Sequence, residues 1–325
     1  MLSIEGIIVN AEGEKRGRVE IDTETGLISK VTEATGAADI VLDNELIFPG
    51  FIDVHVHARE DVSHSNDYKE DFTTAGEAAI HGGVAAFAEM PNCPQPPVDD
   101  ASYDARNTLT QKSPVTVLLY AGIGPTTSPL SRKVPYKAFM GHSIGDLFFT
   151  SSEQLDEALA RYEGQSVSFH CEDPKIMEAA SHASLHEDRR PPEAEIAAVE
   201  LALKLIQKYN LRGKICHAST KESIELINAA KKRKINVVVE VTPHHLYFDE
   251  TMISAADRTR FQVNPPIRQT EKNRLALIKA LRDGEIDFLA TDHAPHTKEE
   301  KEKGMSGLTH LDTYGPFTAW LKDEH

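Results

Sequence analysis

Cysteine is scarce in this chain of 325 residues: Cys93, Cys171 and Cys216 are all it has. Three is odd, and the spacings of 78 and 45 residues form no CxxC pair. A disulfide framework and a cysteine-based zinc site are thereby excluded, and a reducing, cytoplasmic setting is expected. Long apolar runs are missing too. No stretch approaches the roughly 20 residues of a membrane span. The start, MLSIEGIIVN, has neither a basic segment nor an apolar core, so no signal peptide is expected. Positive charge is in deficit, with 35 Lys and Arg against 51 Asp and Glu, a formal net charge of −16. A nucleic-acid partner is excluded, because phosphate binding needs a basic face. Any anionic substrate must meet cationic groups gathered in a pocket. The mean hydropathy of −0.37 belongs to a globular chain without a membrane segment.

What is present falls into two stretches. Up to about residue 48, short strand-like segments alternate with Gly, Asn and Asp: SIEGIIVN, KRGRVEID, GLISKVTEA and IVLDNELIF. They predict a small antiparallel sheet over 1–48, part of a β-sandwich. Its partner strands are expected to lie in a C-terminal part that this chain lacks. After Pro49-Gly50 the rhythm changes. Eight apolar runs follow, at 51–57, 84–90, 115–123, 136–140, 166–171, 214–218, 236–243 and 287–293. Such near-continuous runs suit strands buried on both faces. Amphipathic stretches separate them. Leu155, Leu159 and Tyr162 share one helical face, as do Ile196, Val199, Leu203 and Ile206. Further along come Ile224, Ile227 and Ala230, then Leu275, Ile278 and Leu281. Eight β units with intervening helices predict an α/β fold, a (β/α)8 TIM barrel over 49–325. A doubly wound open sheet is the alternative, but the Gly-rich dinucleotide turn is absent.

The polar residues of these runs carry the chemistry. In FIDVHVHARE, alternation along a strand puts His55, His57 and Arg59 on one side. Lys137 lies within run four, His170 ends run five, His217 ends run six and Asp292 ends run eight. Functional residues of a (β/α)8 barrel collect at the C-terminal strand ends. A lone histidine at a strand end is ordinarily a satisfied polar residue, and a buried lysine ordinarily a misread surface position. Several imidazoles and a carboxylate converging without water or metal would be costly, however. Imidazole and carboxylate ligands suit zinc and similar metals. His55, His57 and Asp292 make one half-site, and His170 with His217 a second. Lys137 is the one lysine in a strand core with the right placement to join them. A neutral amine takes up CO₂ to become a carbamate, able to bridge metals about 3.5–4 Å apart.

Several motifs then resemble the dihydroorotase family of the amidohydrolase superfamily, over about residues 1–317. They are FPGFIDVHVHARE, KEDFTTAGEAAIHGGVAAFAEMPNCPQP, HCED, RRPPEAEIAAVELALKL, CHASTKE, EVTPHHL, NPPIR and TDHAPHTKEEK, in the family's order. YKAFMGHSIG is similar to the subset with a carboxylated lysine. The resemblance implies two Zn²⁺ per chain. His55, His57 and Asp292 would hold the first and His170 and His217 the second, with carboxylated Lys137 and a hydroxide between them. It implies that Arg59, Asn92 and His296 bind the substrate carboxylate and that Asn264 contacts the ring. Asp292 would move the proton in the reversible cyclisation of N-carbamoyl-L-aspartate to L-dihydroorotate, a step of pyrimidine biosynthesis. A related cyclic amidase, an allantoinase or a hydantoinase/dihydropyrimidinase, shares the metal pattern. A non-catalytic assembly subunit is the remaining alternative. A homo-oligomer or an aspartate transcarbamoylase partner is left open. His244 and His245 are read either as groups that orient ligands or as plain structural residues, and 296–310 as either a lid or a solvated loop. GLTHLDTYGP departs from the family's G-L-E-T spacing, which bears on that loop's geometry.

Overall fold

The strand-like segments before Pro49 form one sheet. In the computed structural model, described over residues 1–34, 36–141, 147–268 and 270–325, the chain divides into two compact units, Met1–Phe51 and Ile52–His325. The first holds β1 (Leu2–Asn10), β2 (Gly13–Ile21), β3 (Ile28–Glu33) and β4 (Ile40–Ile47), in the order β3-β2-β1-β4. β1 and β2 make a hairpin from Leu2 opposite Ile21 to Asn10 opposite Gly13, and β3 adds antiparallel to β2. The sheet is not wholly antiparallel, as the alternation alone suggested. β4 lies parallel to β1, on its other edge. Asp39 sets this arrangement: its carboxylate accepts from the Ser3 amide at 2.8 Å and the Ser3 hydroxyl at 2.7 Å. The chain therefore enters β4 beside the start of β1, and the two strands run the same way.

In the second unit the apolar runs become barrel strands. They are β5 (Phe51–Val56), β6 (Val84–Glu89), β7 (Thr116–Leu119), β8 (Ala121–Ile123), β9 (Tyr136–Phe139), β10 (Ser166–His170), β11 (Arg212–Ile215), β12 (Val237–Val241) and β13 (Phe288–Leu289). β7 and β8 are one run broken at Tyr120. Its first half pairs with β6 and its second with β9. The run thus fills one strand position, and the barrel has eight. Pairing from β8 to β13 is parallel and sequential. The far end returns to the beginning through a parallel bridge between Val56 and His293, where the His57 amide donates to His293 O at 2.8 Å. That closure distinguishes the barrel from an open doubly wound sheet.

Helices cover the strands where the periodicity predicts. Leu155, Leu159 and Tyr162 are buried under Ser152–Leu159 and the short turn after it. Val199, Leu203 and Ile206 face inward from Pro192–Lys208, and Ile224, Ile227 and Ala230 from Lys221–Lys232. Burying each such aliphatic side chain contributes about 2 kcal/mol. The last stripe is turned from its expected position. On Glu271–Arg282 the buried residues are Leu277, Ile278 and Ala280, while Leu275 is 44 % exposed. LALIKAL supports more than one helical register, and docking on the barrel selects between them. Side chains that enter helices from the strand ends cap them. Asp71, Asp99, Ser151, Thr220 and Thr270 each accept a backbone N–H of the first turn. Such caps stabilise by about 1 kcal/mol each. The Asp100–Thr110 helix between runs two and three has little apolar periodicity and gave no sequence signal. Among the described residues, no helix is long and apolar enough to cross a membrane.

Candidate metal centre and its cavity

Strand ends aim the polar residues at one place. His55 lies in β5 and Lys137 in β9, both fully or almost fully buried, and His170 is the last residue of β10. His217 and Asp292 lie just beyond β11 and β13, with left-handed φ of 35° and 49°. Such conformations cost on the order of 1–3 kcal/mol and persist only when neighbours enforce them. Neighbours do so here. Ala218 N donates to Glu240 O at 3.0 Å, just after His217. Thr291 N donates to Asp53 Oδ1 at 3.1 Å, just before Asp292.

The result is two adjoining groups. Asp292 Oδ1 lies 3.2 Å from His55 Nε2 and 3.0 Å from His57 Nε2. His170 Nδ1 lies 3.0 Å from His217 Nε2. The His55 and His217 rings are 5.3 Å apart, which joins the pairs. Burial pushes His55, His57 and His217 well below the ordinary histidine range, with positive neighbours such as Lys137 adding to the effect. These rings are neutral and offer lone pairs. Burial raises the Asp292 carboxyl to about 7, against the pull of Lys137. His55, His57 and Asp292 bring one nitrogen, one nitrogen and one oxygen within metal-ligand range of one another. Neutral imidazole with carboxylate is a donor set that fits zinc.

Lys137 is not the only buried lysine of the barrel strands. Lys214 of β11 is also buried. Its Nζ lies 2.6 Å from Glu240 Oε2 and donates to Val54 O at 3.0 Å. Lys137 differs sharply. It is 0 % exposed, its Nζ donates to Cys216 Sγ at 2.8 Å, and among the described residues no carboxylate pairs with it. Sequence periodicity could not separate the two; their partners do.

One cavity of about 330 Å³ is lined by all ten residues singled out from the sequence: His55, His57, Arg59, Asn92, Lys137, His170, His217, Asn264, Asp292 and His296. Arg59 arrives there by a different route from the one expected. β5 stops at Val56, and Arg59 takes φ 63°, so strand alternation does not carry it. A turn does. Ala58 N donates to Glu89 Oε2 at 2.8 Å, and Arg59 Nε donates to Pro295 O at 3.1 Å. An Arg59 terminal nitrogen meets His296 Nε2 at 3.0 Å. Asn264 Oδ1 makes no hydrogen bond among the described residues.

Gly304 to Gly307 also wall the cavity, so the 296–310 segment bounds the site. It carries a short helix, Lys298–Glu302, and is pinned by Lys301, whose Nζ donates to Met305 O and Gly307 O at 2.7 Å each. Gly307 has φ 147°, and a Cβ there would sit 2.3 Å from Ala294 O. Gly307→Ala is expected to displace this wall, costing about 1–3 kcal/mol. A melting curve and a several-fold rise in KM check it. His244 and His245 do not line the cavity. His245 bonds Thr242 Oγ1 at 2.8 Å and Pro265 O at 3.0 Å, bracing the turn that carries Asn264. His244 stacks on His310 with ring centroids 5.4 Å apart.

Sequence reasoning assigned no role to Arg190, Glu172 or Glu240, although each lies in a quoted motif. Arg190 lines the cavity, and the two glutamates are completely buried behind the histidines. The only signal of the two glutamates was a charged residue inside or just beyond an apolar strand, and Arg190, at the end of the short His186–Arg189 helix, gave none. In the YKAFMGHSIG motif, positions 142–145 lie outside the described residues.

Comparison with known proteins gives the family and the fold. The amidohydrolase family matches residues 46–313. The chain belongs to the amidohydrolase family. It is 33% identical to proteins named dihydroorotase from Listeria monocytogenes serotype 4b (strain CLIP80459) and Bacillus subtilis (strain 168). Each match covers 98% of this chain and 78% of the relative. Among solved structures, an L-hydantoinase (dihydropyrimidinase) from Arthrobacter aurescens aligns with a TM-score of 0.85 at 23% identity, covering 98% of this chain and 76% of that one. A D-hydantoinase from Thermus sp. aligns with a TM-score of 0.77 at 20% identity, over 96% of this chain and 74% of that one. At such identity these neighbours establish the amidohydrolase barrel as the fold.

Proposed function

We propose that this amidohydrolase is a dihydroorotase. It catalyses the reversible cyclisation of N-carbamoyl-L-aspartate to L-dihydroorotate in pyrimidine biosynthesis. The observation that carries the substrate is Arg59. Its guanidinium is buried in the wall of the cavity, and among the described residues no carboxylate forms an ion pair with it. Burial alone lowers its pKa. Glu89, Asp292, Glu70 and Glu300 offset that charge only from a distance, and a buried cation without a close ion-pair partner beside an open cavity calls for an anionic ligand. A ring that bears a carboxylate supplies one, and a plain hydantoin does not. In a chain of net charge −16, that cation also overcomes long-range repulsion of the substrate.

The site residues take their roles from this reading. Arg59, with Asn92 and His296, holds the substrate carboxylate through paired hydrogen bonds. Asn264 Oδ1 accepts from a ring N–H. His55, His57 and Asp292 would hold one zinc ion, and His170 with His217 a second. Lys137 joins the two halves after its neutral amine adds to CO₂: an N–C bond forms and one proton leaves. The product would place an anion among imidazoles, where Lys137 has no carboxylate partner among the described residues. Bound zinc supplies a Lewis acid that lowers the pKa of water to about 7 and polarises a carbonyl. Asp292 accepts the proton of the attacking water and passes it to the leaving ring nitrogen. In the direction of ring closure the same groups act in reverse. Arg59 and Asn264 fix the ring so that little orientation remains to be lost in the barrier. All three cysteines are buried and unbridged, in keeping with a cytoplasmic enzyme. A homo-oligomer or an aspartate transcarbamoylase partner is compatible with this role.

The test is a substrate screen of the zinc- and bicarbonate-supplied protein. Turnover of dihydroorotate, with hydantoin and allantoin at least about 100-fold poorer, is the expected result, since an unmatched buried charge costs about 3 kcal/mol. Allantoin or hydantoin as the preferred substrate would overturn it. A protein with well under one zinc per chain and no turnover would favour an assembly subunit.

A further inference from the structure

Two histidines of the cluster are held in the same manner by residues outside the ligand set. His55 Nδ1 meets Glu240 Oε1. The other oxygen of Glu240 lies 2.6 Å from Lys214 Nζ, and Lys214 also donates to Val54 O at 3.0 Å. His170 Nε2 meets Glu172 Oε2 at 2.7 Å. Glu172 takes Arg190 Nε at 2.9 Å on Oε1 and an Arg190 terminal nitrogen at 2.5 Å on Oε2. Both carboxylates are 0 % exposed. Each half of the centre is therefore backed by a chain of cation, carboxylate and imidazole.

A carboxylate offers only acceptors, so the ring nitrogen facing it must carry the hydrogen. The opposite nitrogen is left with its lone pair. The two chains select opposite nitrogens. Glu240 leaves Nε2 of His55 free, because Asp292 Oδ1 lies 3.2 Å from that nitrogen without a hydrogen bond between them. Glu172 leaves Nδ1 of His170 free, the atom 3.0 Å from His217 Nε2. Lys214 and Arg190 have only donors, so they hold the oxygens in place and cannot compete for the imidazole. Glu240 also accepts from His217 N at 3.3 Å, so it steadies the backbone of a histidine in the other half.

We propose that Glu240 and Glu172 are positioning residues, each setting the tautomer of one histidine, His55 and His170 respectively, for its own half of the metal centre. Lys214 and Arg190 orient these carboxylates. The inference rests on the metal reading above, but its test separates the two.

Replacing either glutamate by glutamine keeps the shape and reverses the hydrogen bond. In Glu240→Gln, Lys214 claims the amide oxygen, and the NH₂ group turns to His55 Nδ1. The ring hydrogen must then move to Nε2, the nitrogen meant for the metal. Glu172→Gln does the same to His170 through Arg190, moving the hydrogen to Nδ1. Imidazole ¹⁵N–¹H NMR of the metal-free protein reads the tautomers directly, and competition with a chelator reads zinc affinity. The expected result is an inverted tautomer at one histidine per variant. One of the two zinc sites weakens by about 10- to 100-fold, the usual effect of losing a carboxylate behind a histidine ligand. The other site is retained in Glu172→Gln, and in Glu240→Gln it weakens less than the His55 site, because His217 N loses its acceptor as well.

The double variant Lys214→Met/Glu240→Gln frees the glutamine to turn its oxygen back to His55. It is expected to restore the wild-type tautomer and affinity to within about threefold, well inside the loss expected of the single variant. Unchanged tautomers and affinities in both single variants would overturn the proposal. So would loss of both sites together in Glu172→Gln, or a double variant that does not recover. Should the wild-type protein bind no zinc, the metal reading falls, while the tautomers of the metal-free protein still decide this inference.

Discussion

Lys137→Ala is expected to bind less than one zinc per chain and to lose turnover of dihydroorotate by on the order of 10³-fold, about 4 kcal/mol of barrier. The reasoning starts from solvation. Lys137 is completely buried in β9, and Cys216 Sγ is its hydrogen-bond partner. A charged ammonium in that place lacks the counter-charge that Glu240 gives to Lys214. As a carbamate it becomes an anion facing His55, His57, His170 and His217 across the cavity. Alanine cannot supply that anion, so each half of the centre is left with only its own ligands. The fold should survive, because the substitution removes a poorly solvated charge and leaves β9 hydrogen-bonded on both edges. Metal analysis and a melting curve together check this. Two zinc ions retained in a folded Lys137→Ala protein would rule out a bridging role.

Arg59→Met should behave in the opposite way. Both metals are expected to remain, while kcat/KM for dihydroorotate falls by roughly two orders of magnitude, largely through KM. Leaving a substrate carboxylate without its buried cation costs about 3 kcal/mol. Methionine preserves most of the side-chain volume, so Pro295 and His296 keep their packing although they lose the guanidinium donors. Hydantoin, which has no carboxylate, should be indifferent to the change. Loss of metal in Arg59→Met would show that the arginine supports the ligands instead of binding substrate.

Both variants were designed from positions that the sequence already singled out, and the two were legible for different reasons. Lys137 stood out because a strand interior seldom carries a lysine. That signal was not unique, since Lys214 satisfies it equally well. Arg59 stood out through strand alternation, and it reached the cavity although alternation had ended three residues earlier. The inference succeeded because the loop leaving a barrel strand continues over the same mouth. Helix faces show the same limit. Ile227 and Ala230 are buried as the spacing requires, whereas Leu275 is exposed because its helix offered a second apolar register.

Eight apolar runs at barrel spacing, and histidines with an aspartate at their ends, are properties of order along the chain. Solvent exclusion makes them readable, because a strand covered on both faces must be apolar except where a polar residue has work to do. The order of residues therefore determined the barrel, its closing strands and seven of the ten residues that meet in one cavity, while Asn92, Asn264 and His296 were legible only through the family resemblance. Distances across the barrel belong to the tertiary structure alone. Lys214 and Glu240, on neighbouring strands, neutralise each other, while Lys137, two strands from Lys214, has no carboxylate partner among the described residues. Glu172 and Glu240 stand behind one histidine each, so the hydrogen on each ring is assigned by a carboxylate that no spacing rule connects to it. Hydrogen bonds and charge pairing act over about 3 Å in space, and residues as far apart as His55 and Glu240 come within that reach only once the barrel has closed.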